Sequence, residues 1–580
     1  MTHSQKRTIL FAVLALVAAV LVFFIVKATA ANTAGTPTVS ADSADTSTSD
    51  STAANTLRAA SAEFVFSDSG IAVTGSSSGT EISGTALTID EAGTYTVSGA
   101  CADGSIKIKK GTTGVTLILN GLDLTSSATA PITCGKSSGV AILAADGTEN
   151  VLTDSAQNND GEYPENTDAE NAVIKCKDGA TVTLCGAGSL TVNANGKNGI
   201  KSGGATDEAG KASLTIEELS LTINASVGDA INAEQTLHIP SGTLTIAAAD
   251  DAIHADYDLN IGASGTDGPS ITITGCCEGL EAAALNIFSG NIDITATDDC
   301  LNAANSDLSG YDFTMNISGG AIRAYTSGGD GFDSNGDLTI SGGTVVVWTA
   351  SAADNQPLDA DGTITVTGGT VLAAGGSSGM GINLSAMQPY VTFGGSTMGG
   401  FGGFGGGKMQ PPTGDRPDDM PEPPDDTQPS DRTDMTPPDG AQQPSDMGTP
   451  PDGAQQPGDM GTPPDGFGGT VLVAKGSTLT IASGSDTLFS ETAPCDVRFV
   501  FFTAPELSGG ESYTLNADAE TAETAEAQTG KMQTGFGGKP TGDPPARPDG
   551  EAPTDQPTPP DGTADAATPP QDTTGTTTTT

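Results

Sequence analysis

Six stretches of this chain repeat one order of residue types: Gly228-Asp-Ala-Ile-Asn-Ala233, Asp250-Asp-Ala-Ile-His-Ala255, Cys277-Glu-Gly-Leu-Glu-Ala282, Asp298-Asp-Cys-Leu-Asn-Ala303, Gly329-Asp-Gly-Phe-Asp-Ser334 and Asn355-Gln-Pro-Leu-Asp-Ala360. Two residues before the central apolar one stand Asp229, Asp251, Glu278, Asp299 and Asp330, with Asp250 and Asp298 beside them. Directly after it stand Asn232, His254, Glu281, Asn302, Asp333, Asp359 and, in a looser copy, Asn383. If such stretches stack, each position becomes a file with neighbours about 5 Å apart. Bare carboxylates that close repel one another. A hard divalent cation removes the repulsion, and Ca²⁺ accepts roughly six to eight oxygens at about 2.3 to 2.6 Å. The candidate metal ligands are therefore Asp229, Asp250, Asp251, Glu278, Asp298, Asp299, Asp330 and Asp333, with Glu281, Asn302 and Asp359 as candidate ligand-binding residues. The competing reading is that these side chains only satisfy turn amides and sit in solvent.

Catalysis finds less support. Glycoside hydrolysis needs one carboxylate pair at a controlled separation, and the files supply many pairs without singling one out. β-Elimination needs a basic residue poised beside bound calcium. Lys175, Lys201 and Arg323 are the outward basic residues, and none is expected within the acidic ladder. The chain is accordingly read as a non-enzyme, with a polysaccharide lyase as the alternative. His254 reads as a surface histidine. Tyr257, Tyr311, Tyr325 and Trp348 could offer flat faces to sugar rings, although Trp348 ends an apolar run, Val345-Val-Val-Trp, that suits core packing equally well.

These residues need a scaffold that repeats. The central apolar residue recurs at Ile174, Ile200, Ile231, Ile253, Leu280, Leu301, Phe332, Leu358 and Ile382. A spacing of roughly 21 to 31 residues signals a solenoid. Each unit continues in two short alternating runs, such as Leu237-His-Ile239 with Leu244-Thr-Ile246, which predict strands with one buried face. Glycine pairs such as Gly342-Gly343 mark the corners. Three strands per coil, stacked coil on coil, make an all-β, single-stranded parallel β-helix. Leucine-rich repeats would need a Leu-x-x-Leu-x-Leu frame that is absent, and a β-sandwich would not repeat the same order in register.

The flanks differ in kind. Residues 1–31 hold an apolar run, Ile9 to Val26, behind Lys6 and Arg7, and are read as a signal peptide or membrane anchor that exports the chain. Residues 32–62 form a Ser/Thr/Ala/Asp linker, expected to be disordered. The β-helix is placed at 63–395, with its first coils from Phe64 and a polar excursion at Gln157 to Asn171. A Gly/Pro/Asp-rich insertion, expected to be disordered, spans 396–468, final β-helix strands span 469–515, and a disordered tail spans 516–580.

A formal charge of −50, with 22 basic residues, excludes nucleic acid as a partner. It also means that an acidic polysaccharide needs divalent cation between it and the protein. The eight cysteines include Cys277 and Cys300, one coil apart, which either pair or fill the stack as small apolar side chains. No arrangement of cysteines suits zinc.

Asp250-Asp-Ala-Ile-His-Ala-Asp-Tyr-Asp-Leu-Asn-Ile261, Glu278-Gly-Leu-Glu-Ala-Ala-Ala-Leu-Asn-Ile287 and Asp298-Asp-Cys-Leu-Asn-Ala-Ala304 resemble the clostridial family of cellulose- and pectin-binding parallel β-helix proteins. Gly329 to Gly336 and Pro505 to Tyr513 are similar to it as well, so the resemblance covers roughly Phe64 to Leu515. Ala252 and Cys300 depart from it, standing where glycine usually follows Asp-Asp. The resemblance implies a right-handed, calcium-loaded β-helix that binds plant cell-wall polysaccharide, acidic pectin or cellulose, without cleaving it. The expected protein is an extracellular or cell-surface monomer whose cofactor is Ca²⁺. The remaining alternative is a surface adhesin or structural spacer that binds no glycan.

Overall fold

A computed structural model of the chain describes residues 62–205, 212–305, 308, 310–350, 355–376, 384–394 and 470–532. Residues 1–61, the insertion at 396–468, Ile382, Asn383 and most of the expected tail lie outside the described residues, and with them the expected signal peptide or anchor and all of the expected linker but Ala62. Every described residue belongs to one unit, Ala59–Thr580.

The described secondary structure is all strand, and 34 strands join in one sheet that coils on itself. The solenoid expected from the repeat is present. Each coil contributes to three columns. In the first, Ile132–Cys134, Ala172–Cys176, Asn198–Ser202, Ile231–Ala233, Ile253–Ile261, Leu280–Ile287, Leu301–Ala303 and Phe332–Ser334 pair in parallel. The central apolar residues lie rung on rung, Ile174 to Ile200, Ile231, Ile253, Leu280, Leu301 and Phe332, and Leu358 extends the file by a parallel bridge. All are fully buried, and each such side chain contributes about 1.5 to 3 kcal/mol through removal from water.

Position within the motif is also constrained by backbone proximity. A Cβ on Gly331 would lie 2.2 Å from Val347 Cγ1 and 2.4 Å from the Pro357 carbonyl oxygen, and one on Gly279 would lie 2.3 Å from the Cys300 carbonyl. Ala252 and Cys300 occupy the same position in their coils and are buried, so those coils accommodate a side chain there. The eight cysteines are free thiols, and Cys300 packs as an apolar filler in the core. The expected alternative of a Cys277–Cys300 disulfide is not realised.

Both ends depart from the simple stack. At the start, Ala62–Ser67 folds back on Gly70–Gly75 and Thr80–Ser83 on Ala86–Ile89 as antiparallel hairpins, while Ala62–Ser67 and Ala86–Ile89 also open the parallel rungs. The polar excursion after Asp154 is tied down: Asn158 Nδ2 donates to Asp154 Oδ2 at 2.8 Å and to the Ala172 carbonyl at 2.9 Å.

Residues 469–515 are not further β-helix coils. Thr478–Ser483, Asp486–Thr492, Ser512–Ala517 and Glu520–Glu526 form a separate four-stranded antiparallel sheet, while Phe499–Thr503 and Gln528–Lys531 run antiparallel to the last coils. Strands therefore continue past Leu515 to Lys531, into the segment expected to be tail. Alternation reports which face of a strand is buried and carries no information on partner direction. This cap covers the outer face of Thr344–Thr349, so Val346 and Trp348 are buried in a second core with Leu372, Phe393, Leu479 and Phe502. Burial on both faces explains the unbroken apolar run and removes Trp348 from the candidate sugar-binding aromatics.

Candidate functional site

The motif column projects two polar files. Taking the central apolar residue as reference, the file two positions earlier runs Asn198, Asp229, Asp251, Glu278, Asp299, Asp330 and Gln356, held in register by backbone bonds such as Gly199 N–H to Asp229 O, Ala230 N–H to Asp251 O and Ala252 N–H to Glu278 O. Asp251, Glu278 and Asp299, distant in sequence, thus stand on consecutive rungs of one face.

Part of this file works as the amide reading expected. Asn198 Oδ1 accepts from Asp229 N–H at 3.1 Å, Asp229 Oδ1 from Asp251 N–H at 3.4 Å, and Asp299 Oδ1 from Asp330 N–H at 2.6 Å. Asp330 Oδ1 accepts from Gln356 N–H in the same way. Each carboxylate so placed caps the coil above. This leaves its second oxygen for a neighbour or an ion.

Three groups bring ligand atoms within 4.8 Å of one another: Asp229 with Asp250 and Asp251, Asp251 with His254 and Glu281, and Asp330 with Asp333 and Asp359. Burial pushes the carboxyls of Asp229, Asp250 and Asp333 above the usual carboxylate range, and neighbouring charges on Asp251 or Asp359 push the same way. Clustered acids under that strain are what a cation relieves. Glu278, Asp298 and Asp299 join no such group among the described residues. Burial, then repulsion from Glu281, Asp251 and Asp299, raises Glu278 to about 8 against a hydrogen bond from Asn302 Nδ2 at 2.9 Å. Asp299 is raised to about 7, chiefly by burial.

His254 is not a surface histidine. Its Nδ1 lies 2.5 Å from Glu281 Oε2 and 3.6 Å from Asp251 Oδ2, and its Nε2 lies 3.0 Å from Asp256 Oδ1. Burial disfavours the charged ring, but bonds to Asp251, Asp256 and Glu281 outweigh it and hold the imidazolium up to about 12. At this rung a protonated histidine already supplies the positive charge.

The Asp330, Asp333 and Asp359 group is the better test of fit for a hard cation, because it offers oxygen alone. Two orphaned atoms support the fit. Gln356 Oε1, on the rung whose N–H caps Asp330, is buried without a hydrogen-bond partner. Asn302 Oδ1, in a residue only 9% exposed between Glu281 and Asp333, is likewise unpaired. Buried carbonyl-type oxygens lacking donors are costly, and a cation satisfies them. The residues present fit a divalent ion held by Asp330, Asp333 and Asp359.

The second file, directly after the apolar residue, runs Lys107, Thr133, Lys175, Lys201, Asn232, His254, Glu281, Asn302 and Asp333. Lys175 and Lys201 therefore stand outside the acidic ladder, as expected, but in line with Glu281 and Asp333 of the second file. The fainter repeats Val173-Ile-Lys175 and Gly199-Ile-Lys201 carry the signal, since each lysine follows the central isoleucine as Asn232 does. Arg323 lies elsewhere and pairs with Glu491. Beside the file, Tyr257 and Tyr311 meet edge to face at 6.2 Å, with Phe313 5.7 Å from Tyr311, and all three rings are partly exposed.

Residues 83–379 match the family model described as carbohydrate-binding domain-containing protein. A carbohydrate-binding domain-containing protein of Acetivibrio thermocellus is 39% identical over 123 residues, 21% of this chain and 42% of that protein. The chain thus spans less than half the length of that relative. A solved structure described as the polysaccharide lyase-like protein from C. thermocellum, a gadolinium derivative, is similar at 24% identity, covering 53% of this chain and 96% of the other with a TM-score of 0.31. With a family model matched over more than half its length, the chain belongs to the family of carbohydrate-binding domain-containing proteins.

Proposed function

We propose that this protein is an exported, non-catalytic carbohydrate-binding β-helix whose ligand is an acidic plant cell-wall polysaccharide, with Ca²⁺ bridging the two. The observation that carries the reading is the all-oxygen group of Asp330, Asp333 and Asp359, on the same face as the unpaired Asn302 Oδ1. Calcium supplies a charge that the carboxylates hold and that a uronate can share. Asp229, Asp250 and Asp251 would hold a second ion in the same manner. The chain's own residues fix the geometry: backbone N–H groups anchor Asp299 and Asp330, and Asn232 Nδ2 orients Asp229 through a 2.6 Å bond.

The amino-terminal apolar run supports export, and binding outside the cell follows from it. A charge of −50 makes unaided capture of an anionic polymer unfavourable, which is why the cation is part of the reading. A glycan array run with calcium and with chelator tests it: acidic glycans should bind only with calcium, and undiminished binding after chelation would overturn the bridge. Following the same mixtures for ultraviolet absorbance separates binding from β-elimination, because a lyase would release unsaturated products.

A further inference from the structure

The second file changes sign along its length. Lys175 pairs in register with Lys201, Lys201 with Asn232, Asn232 with His254 and His254 with Glu281, so the cationic and acidic halves share one line of rungs about 4.8 Å apart. Stacking two ammonium groups on adjacent rungs is unfavourable in itself. Lys201 is relieved by Glu234 at 3.1 Å, and its side chain is 23% exposed. Lys175 makes no ion pair among the described residues, although it is half-buried and the chain has 72 acidic residues to offer. Burial, and then the charge of Lys201, hold its ammonium below the usual lysine range, against the more distant carboxylates of Glu234 and Glu170. Below it Thr133 adds no charge, and Lys107 continues the file.

We propose that Lys175 and Lys201 form an anion subsite for the carboxylates of a uronic-acid polysaccharide, continuous with the acidic half of the same file. The ligand is a polymer because the file spans many rungs, and it is anionic because adjacent ammonium groups are what this end of the file presents. A uronate chain lying along it meets lysine directly at one end and carboxylate through calcium at the other. This assignment rests on the polysaccharide reading of the site.

The test is calorimetric titration of the full chain in calcium with de-esterified oligogalacturonate and with its methyl-esterified counterpart. Wild type, Lys175→Gln/Lys201→Gln and Glu234→Gln are compared. The double variant should bind the de-esterified oligomer about tenfold more weakly and the esterified one unchanged, with calcium affinity in the absence of sugar also unchanged. Glu234→Gln, which releases Lys201, should tighten the de-esterified oligomer a few-fold. Wild-type affinity in the double variant would overturn the subsite and leave the calcium reading standing, whereas failure of the wild type to bind either oligomer would overturn both. If the double variant does not fold, unchanged affinity in Glu234→Gln overturns the subsite.

Discussion

His254 Nδ1 lies 2.5 Å from Glu281 Oε2 on the next rung, and the same ring touches Asp251 and Asp256. One imidazolium thus neutralises part of a carboxylate cluster. Removing it in His254→Gln leaves Asp251, Asp256 and Glu281 facing one another without a cation. Loss of one partner from a largely buried charge network costs about 3 to 5 kcal/mol. Urea unfolding in chelator should show that loss and calcium should restore part of it. A variant as stable as wild type would show that the ring's charge is not structural.

Glu278 and Asp299 add to the pH response of His254, whose contribution is lost in the same direction as pH rises above 6.5. Their folded-state values, about 8 and about 7, lie above the ordinary 4.5 and 3.8, so the folded chain binds more protons than the unfolded one between those limits. By linkage their stabilising contribution is complete below the ordinary values and is lost as pH rises through about 7 and 8. In chelator the unfolding temperature should therefore fall between about pH 5 and about pH 9, and calcium should reduce the fall. A flat profile in chelator would contradict the burial of these two acids.

Asp330→Asn, Asp333→Asn and Asp359→Asn should each weaken calcium binding by at least about tenfold, or about 1.4 kcal/mol, read by calorimetry without sugar. Glu278→Gln should change it less, because Glu278 belongs to no three-ligand group among the described residues. Equal losses for all four would place the ion elsewhere on the file.

The motif glycine beside this group is a packing requirement. Gly331→Ala should destabilise the protein by about 1 to 3 kcal/mol, since its Cβ would meet Val347 and the Pro357 carbonyl. Gly275→Ala is the control, with nothing within 4 Å of the added atom. Comparable denaturant midpoints for the two would contradict the packing described.

Much of the scaffold is legible in the sequence because a solenoid writes its geometry as a period. Ile231, Ile253, Leu280 and Leu301 announce their shared file by spacing and type alone, and the carboxylates two positions earlier inherit that register. What spacing does not reveal is which oxygen each side chain turns to its neighbour. Asp299 looks like Asp330 in the repeat and caps the next rung's amide as Asp330 does, yet Asp330 joins a cation group and Asp299 joins none among the described residues. His254 escaped because only the contacts show its ring turned between Asp251 and Glu281, and its third partner, Asp256, lies where the rungs slip between Ala255 and Asp258. The antiparallel cap was hidden for a different reason: Phe499 to Thr503 is a run buried at every position, which reads alike for a parallel or an antiparallel strand, and only its partners reveal the direction.

The most direct measurement is calorimetric titration of polygalacturonate, in calcium, into wild type and into the triple variant Asp330→Asn/Asp333→Asn/Asp359→Asn. Binding should be strong in the first and lost in the second while both remain folded. Equal binding by the two would contradict the claim that these carboxylates hold the cation that captures the polymer.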